Sequence, residues 1–370
     1  VTDGRTARDV IYLLSCAVNG QAPDKERAAG MDLDRVFAFA KGHMVTAAAA
    51  FALQSAGIMD ARIKDAIASS QRKAVLFRAA LAGIKQHLEA EGIWYLPLKG
   101  AYLQDLYPVF GMREFSDHDV LIDETRAADV KSIMEKLGYT AEHYAVSNHD
   151  VYVKPPFLKF EMHRALFKPA QGEAMCEYYK DVRKRLIGEG CEKRFTPEDC
   201  YVYLTAHEHK HYSEEGTGLR SLLDTYVFLK RNAPDMDYVA AQMEKLGIDG
   251  FEKRNRALAL SLFDGGEPAG EEKEMLDYFL SSGTFGNVDQ KVANKLEKEG
   301  WSRLKYAVKR VSVPFSPGDP EYAKAAETFP FFYKHKLLLP LLPAWKVIRA
   351  LKSGRFLAEA KAIKNAKRGR

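Results

Sequence analysis

The stretch REFSDHDVLID, residues 113–123, sets Asp117 and Asp119 one residue apart at the head of an apolar run. Carboxylates on the same face of a strand repel each other and resist burial, so solvent, a basic neighbour or a metal ion must compensate them. Alternation in an extended chain points both aspartates to one face and His118 to the other. Further on, FLKFEMHRAL (157–166) carries a second same-face pair, Glu161 and His163. Three carboxylates near the ends of neighbouring strands make the set that two Mg²⁺ ions (or Mn²⁺) require, since Mg²⁺ takes hard oxygen ligands from a few carboxylates plus substrate phosphates. Such an ion pair clamps the attacking and leaving oxygens of a phosphoryl displacement.

Two other segments could join that chemistry. In LPLKG, a glycine between a strand and a helix lets the backbone approach phosphate, with Gly100 as the cradle and Lys99 as a point charge. Arg113 adds a planar, bidentate partner for a triphosphate, and Ser116 and His163 stand beside the carboxylates as further nucleotide contacts. The segment His207-Glu208-His209-Lys210-His211 fits the zinc-hydrolase pattern H-E-x-x-H, in which Glu208 would be the base. The extended form of that pattern fails, because Glu214 stands where its glycine would be and no third histidine follows. The alternative places His207, Lys210 and His211 along a cleft facing the sheet, with Arg220 and Asp224 on the next helix, in reach of phosphate or base.

The elements that must position these residues follow from periodicity. Residues 1–91 read as an Ala-rich helical region with stops at Gly57 and Gly92. Residues 92–195 read as an α/β core with the order strand, helix, strand, helix, strand, strand, the last two forming a hairpin with Pro155-Pro156 in its turn. Residues 196–311 are again helical, and SVPFSPGDP opens a linker and basic tail over 312–370. The expected fold class is α+β, a small mixed sheet flanked by N-terminal and C-terminal helices.

In order and spacing, LPLKGAYLQDLYP, MREFSDHDVLID, the helix ending KLGY, and KFEMHRAL resemble the uncharacterised nucleotidyltransferase family of the DNA polymerase beta-like superfamily. HEHKHY and GLRSLLDTYVFL are similar to that family's helical part, so the resemblance covers about residues 90–230. It implies that Asp117 and Asp119 bind both metals, that Glu161 is the third carboxylate, and that Lys99 and Gly100 cradle phosphate. The chain departs from the superfamily at Gly100-Ala101, where Gly-Ser is usual. The 16 residues between Gly100 and Asp117 are a longer gap than usual, and His118 stands where an aliphatic residue is typical.

Composition bounds the remaining choices. No run of residues reaches the roughly 18–20 apolar positions of a membrane helix, and IYLLSC, near the start, is too short an apolar run for a lipoprotein signal. Four cysteines without a CxxC pair suit a reducing, cytosolic setting and suggest neither zinc ribbon nor disulfide framework. The net charge of +5 is a property of the tail: residues 331–370 hold eleven Lys or Arg against Glu359 alone. That tail, with Trp345 beside Lys346 and Arg349, is expected to dock on the body or to contact an anionic membrane surface or nucleic acid. The expected activity is transfer of a nucleoside monophosphate from an NTP to a small-molecule, RNA or protein acceptor. A nucleotide-binding module without turnover is the alternative, and a zinc hydrolase the distant third.

Overall fold

The computed structural model describes residues 4–168, 172–214, 216–298, 300, 302–316, 322–352 and 361–363. The chain forms two compact units, residues 1–210 with 217–284 and residues 211–216 with 285–370.

The first unit opens with five helices: α1 (Gly4–Val18), α2 (Lys25–Ala29), α3 (Leu33–Gly42), α4 (Thr46–Ser55) and α5 (Ala61–Ala90). Asp24, Asp32 and Asp60 cap α2, α3 and α5 by accepting backbone N–H bonds that the first turn cannot satisfy. Then come β1 (Tyr95–Pro97), the single turn α6 (Gly100–Leu103), β2 (His118–Ile122), α7 (Ala127–Lys136), β3 (Thr140–His143), β4 (His149–Lys154) and β5 (Leu158–His163). The sheet order is β1-β2-β5-β4-β3, with β2 and β5 parallel and the other pairs antiparallel. This is an α+β fold built on a mixed sheet. The strand expected over FSDHDVLID, from Phe115, begins only at His118, three residues later, so Asp117 lies just before β2. The short β3, TAEH, was absent from the expected order because it has no apolar alternation and mostly exposed side chains.

Period-two alternation gives the sheet two different faces. Val120, Ile122, Phe160 and Met162 pack with Tyr95 against Phe77, Leu81 and Ile84 of α5 and Val130 and Ile133 of α7. Leu96, Leu98 and Leu121 face the other way, into a core shared with α9 (Pro197–Glu214), α10 (Leu219–Asn232) and α11 (Met236–Leu246), which follow the short α8 (Glu173–Tyr179). Helices α12 (Asp249–Phe263) and α13 (Gly270–Ser282) complete the unit. Both sheet faces are therefore covered, and any charged group on them must find a partner inside the protein.

The second unit contains α14 (Val288–Lys298), α15 (Arg303–Val311), α16 (Tyr322–Thr328), α17 (Pro330–Lys334) and α18 (Leu342–Lys352). Its small cores gather Val292, Tyr306 and Ala362, and Val313, Tyr333, Leu339 and Leu342. Trp345, Ile348 and Leu351 of α18 are exposed. The end of the basic tail, residues 353–360 and 364–370, lies outside the described residues. Among the described residues no helix is long and apolar enough to cross a membrane.

Candidate active site

The parallel pairing of β2 with β5 sets Asp119 opposite Glu161 and Leu121 opposite His163. Antiparallel β4 adds His149 opposite His163. One face of three adjoining strands thus carries Asp119, then Lys159, Glu161 and His163, then His149, with Asp117 at the mouth of β2. His118 belongs to the opposite face, where its ring stacks on Phe77 at 4.8 Å beside Phe115 and Phe160. Burial there pushes its pKa down to about 4, so it is neutral at pH 7.

Each carboxylate of the row meets a cationic side chain. Lys99 Nζ donates to Asp119 Oδ2 at 2.9 Å, and His163 Nε2 donates to Asp119 Oδ1 at 2.9 Å. Burial alone would raise the pKa of Asp119, but Lys99 and His163 overturn that and hold it well below the usual carboxylate range. Lys159 Nζ bridges Glu161 Oε1 at 2.6 Å and Asp117 Oδ2 at 3.3 Å. Burial would lower this ammonium's pKa, yet the two carboxylates raise it. Ser116 Oγ donates to Asp117 Oδ1 at 3.0 Å. Burial lowers the pKa of His149, against the pull of Glu161, whose Oε2 lies 3.6 Å from its Nε2.

Lys99 reaches the row from a strained turn. Its φ of +33° places a non-glycine residue on the left-handed side, a cost of roughly 1–3 kcal/mol. That turn throws its side chain between the sheet and α9, where Nζ also donates to His207 Nε2 at 2.9 Å. The glycine that follows plays a different part from the expected cradle. A β-carbon on buried Gly100 would stand 3.4 Å from Arg113 Nη1, so the open side of this residue is used by the protein's own guanidinium.

Arg113 likewise departs from the expectation of a fork offered to triphosphate. Its Nε and Nη2 donate to Asp224 Oδ1 and Oδ2 at 2.7 and 2.8 Å, and Tyr107 Oη donates to the same Oδ1 at 2.7 Å. The guanidinium is buried, and Nη1 is left without a hydrogen-bond partner beside Gly100. Arg113 therefore ties α10 to the Lys99-Gly100 turn. Arg220, placed with Asp224 in the expected cleft, donates to the Glu114 carbonyl at 3.3 Å.

The zinc-hydrolase reading fails on α9. Glu208, its required base, is buried away from the row, accepting from Asn255 Nδ2 at 2.8 Å and Thr225 Oγ1 at 3.2 Å. His207 has its Nε2 occupied by the Lys99 ammonium. Lys210 lies half-buried at the end of the α9 segment belonging to the first unit, and His211 falls in the second unit.

Two members of the row, Lys159 and His149, went unread in the sequence. The first was legible, since K-x-E-x-H puts Lys159 on the face of Glu161 by alternation. The second depends on hairpin register, which no local pattern announces.

The donor set fits a divalent cation. Asp117 just before β2, Asp119 near its start and Glu161 within β5 offer hard oxygens, and His149, Glu161 and His163 place one potential ligand atom each within 4.8 Å of the others.

A sequence model of the family described as "Uncharacterised nucleotidyltransferase" matches residues 29–264, well over half of the chain. The protein belongs to that family. The matched span takes in the sheet, the row of carboxylates and α9 to α12. No match was found among curated proteins or solved structures.

Proposed function

We propose that the protein is a Mg²⁺-dependent nucleotidyltransferase, with Mn²⁺ able to serve instead, that moves a nucleoside monophosphate from an NTP to an acceptor hydroxyl or phosphate. The observation that carries the reading is the register of β2 and β5, which sets Asp119 against Glu161, together with Lys159, which joins Asp117 to the same group. Three carboxylates on a covered sheet face require positive charge beside them, from Lys99 and Lys159 or from a bound cation.

When bound, a divalent cation supplies Lewis-acid polarisation of the phosphoryl oxygens and neutralises charge developing on them. Asp117, Asp119 and Glu161 are the residues that would hold it. Lys99 brings an ammonium to the space between β2 and α9, where a triphosphate oxygen can replace His207 as its acceptor. Ser116 and Lys159 orient Asp117 from two sides. Glu161, half-buried within β5, would take the proton of an acceptor hydroxyl once Lys159 releases it. As that oxygen bonds to the α-phosphorus, the bond to the β-phosphate breaks and pyrophosphate leaves with its electron pair. The Arg113–Asp224 pair acts from behind, fixing the turn that aims Lys99.

A nucleotide-binding module without turnover is favoured by one feature: Lys99 and Lys159 already neutralise the carboxylates. Titration of each NTP with and without Mg²⁺, on wild type and on an Asp117→Asn/Asp119→Asn double variant, tests the reading. Metal-dependent binding by the wild type alone supports it, and absence of binding in both proteins overturns it. Release of pyrophosphate in the presence of candidate acceptors separates transfer from binding.

A further inference from the structure

The two oxygens of Glu161 face unlike neighbours. Oε1 receives the Lys159 ammonium, which it shares with Asp117, and that side is made of oxygens and one amine. Oε2 lies 3.6 Å from His149 Nε2 and 3.9 Å from His163 Nε2. The two imidazole rings stand 5.0 Å apart, centroid to centroid. Asp119 Oδ1 is a further 2.9 Å from His163 Nε2.

Two imidazoles and a carboxylate are not the ligands that Mg²⁺ selects, since it prefers oxygen and keeps much of its water. Nitrogen donors shift preference toward first-row transition metals and zinc. Such ions bind imidazole at about 2.0–2.1 Å, and the ligand atoms, now within 4.8 Å of one another, would draw together slightly to reach that distance from three sides. His149 and Glu161 are only partly covered, leaving room for the approach. His163 is almost fully buried; its Nδ1 has no hydrogen-bond partner, and its Nε2 exchanges the bond to Asp119 for the metal on ligation.

We propose that His149, Glu161 and His163 form a binding site for a transition-metal dication of the Mn²⁺, Co²⁺ or Zn²⁺ class, separate from the oxygen-lined position between Asp117 and Glu161. Asp119, whose Oδ1 lies 2.9 Å from His163 Nε2, adjoins this group and belongs to the oxygen-lined side. The site shares Glu161 with the transferase reading above but does not depend on turnover. It makes the pair of cation positions chemically unequal, one suited to Mg²⁺ and one to a nitrogen-binding metal.

Co²⁺ is the probe, because nitrogen ligation and an ordered geometry give it visible absorption bands that the aqueous ion shows only weakly. Titration of the full chain, without nucleotide, is expected to develop these bands to one equivalent. Zn²⁺ should abolish them at equimolar level, whereas excess Mg²⁺ should not. His149→Ala and His163→Ala should each weaken Co²⁺ binding by about 10–100-fold, the range that disturbed metal shells show. His149→Gln, which keeps much of the side-chain volume, provides a second variant should alanine disturb the hairpin, and circular dichroism verifies the fold of all three. The proposal is overturned if the wild type develops no bands, if Mg²⁺ displaces Co²⁺ as readily as Zn²⁺ does, or if folded histidine variants bind Co²⁺ unchanged. Since no nucleotide is present, the transferase reading stands or falls by its own titration.

Discussion

The row on the sheet and the HEHKH segment of α9 both set histidines beside a glutamate, yet they place them in opposite electrostatic circumstances. On the sheet, Asp117, Asp119 and Glu161 are met by Lys99, Lys159 and His163. On α9, Glu208 is met by the neutral donors of Thr225 and Asn255. Asp119 is held ionised far below the normal carboxylate range, whereas burial lifts the pKa of Glu208 to about 7 against its hydrogen bonds from Ser221, Asn255 and Thr225. Both carboxylates are buried, so depth alone does not separate them. Charged partners preserve a carboxylate that can hold a cation or phosphate chemistry, and neutral partners produce a structural one that carries a proton near pH 7.

Removing the charge at the centre of the row should have the largest effect. Asp119→Ala is expected to lower pyrophosphate release by at least about 10³-fold, the upper part of the range for a lost electrostatic contact in a site. Retention of wild-type turnover would remove the sheet row from the chemistry and end the contrast with α9.

The next effect is on stability. Arg113→Met or Asp224→Leu breaks a buried bidentate pair, and each should cost about 3–5 kcal/mol in urea unfolding because it strands the partner's charge. The double variant Arg113→Met/Asp224→Leu should recover a large part of that loss. If instead it loses as much as the two singles together, the pair does not act as a unit.

Glu208 offers a pH test of the same comparison. Its folded pKa of about 7 lies above the ordinary 4.5, so between these values the folded state binds the proton more tightly than the unfolded chain. Its contribution is therefore most favourable below pH 4.5 and is lost as pH rises through 7, a change of about 3 kcal/mol. His43 and His118, pushed down to about 4 by burial, act in the opposite direction over pH 4–6.5. The clean measurement is thus the stability difference between wild type and Glu208→Gln across pH 5–8. That difference should move against the wild type as pH rises, while nucleotide transfer changes by less than about two-fold. A flat difference would place Glu208 with the ionised carboxylates of the sheet.

The smallest expected effect comes from Lys159→Met. Deleting the ammonium that bridges Asp117 and Glu161 should tighten Mg²⁺ binding about five-fold in calorimetry without nucleotide, equivalent to roughly 1 kcal/mol for one partly screened competing charge. Weaker Mg²⁺ binding in this variant would show that Lys159 organises the carboxylates more than it competes for them.

Much of the sheet is legible in the sequence. The apolar run after Asp117 and the alternation in FLKFEMHRAL announce β2 and β5, and with them the faces on which Asp119, Glu161 and His163 stand. The same alternation carries Lys159. β3 is too short and polar to be recognised by pattern, and its pairing to β4 is what makes it a strand. The role of Arg113 was unreadable for another reason. Its partner Asp224 is 111 residues away, and only the packing of α10 against the turn after β1 brings them together.

By itself the sequence determined which residues face the same way within each strand, because side-chain direction alternates with a local backbone period. It also determined the order of segments that marks the family. Tertiary structure alone decided what each charge meets. Register brought His149 to Glu161 across β4 and β5, the packing of α9 put Glu208 among neutral donors, and the Lys99 turn sent an ammonium to Asp119. Electrostatic character depends on distances between groups far apart along the chain, and those distances come into being when the layers pack.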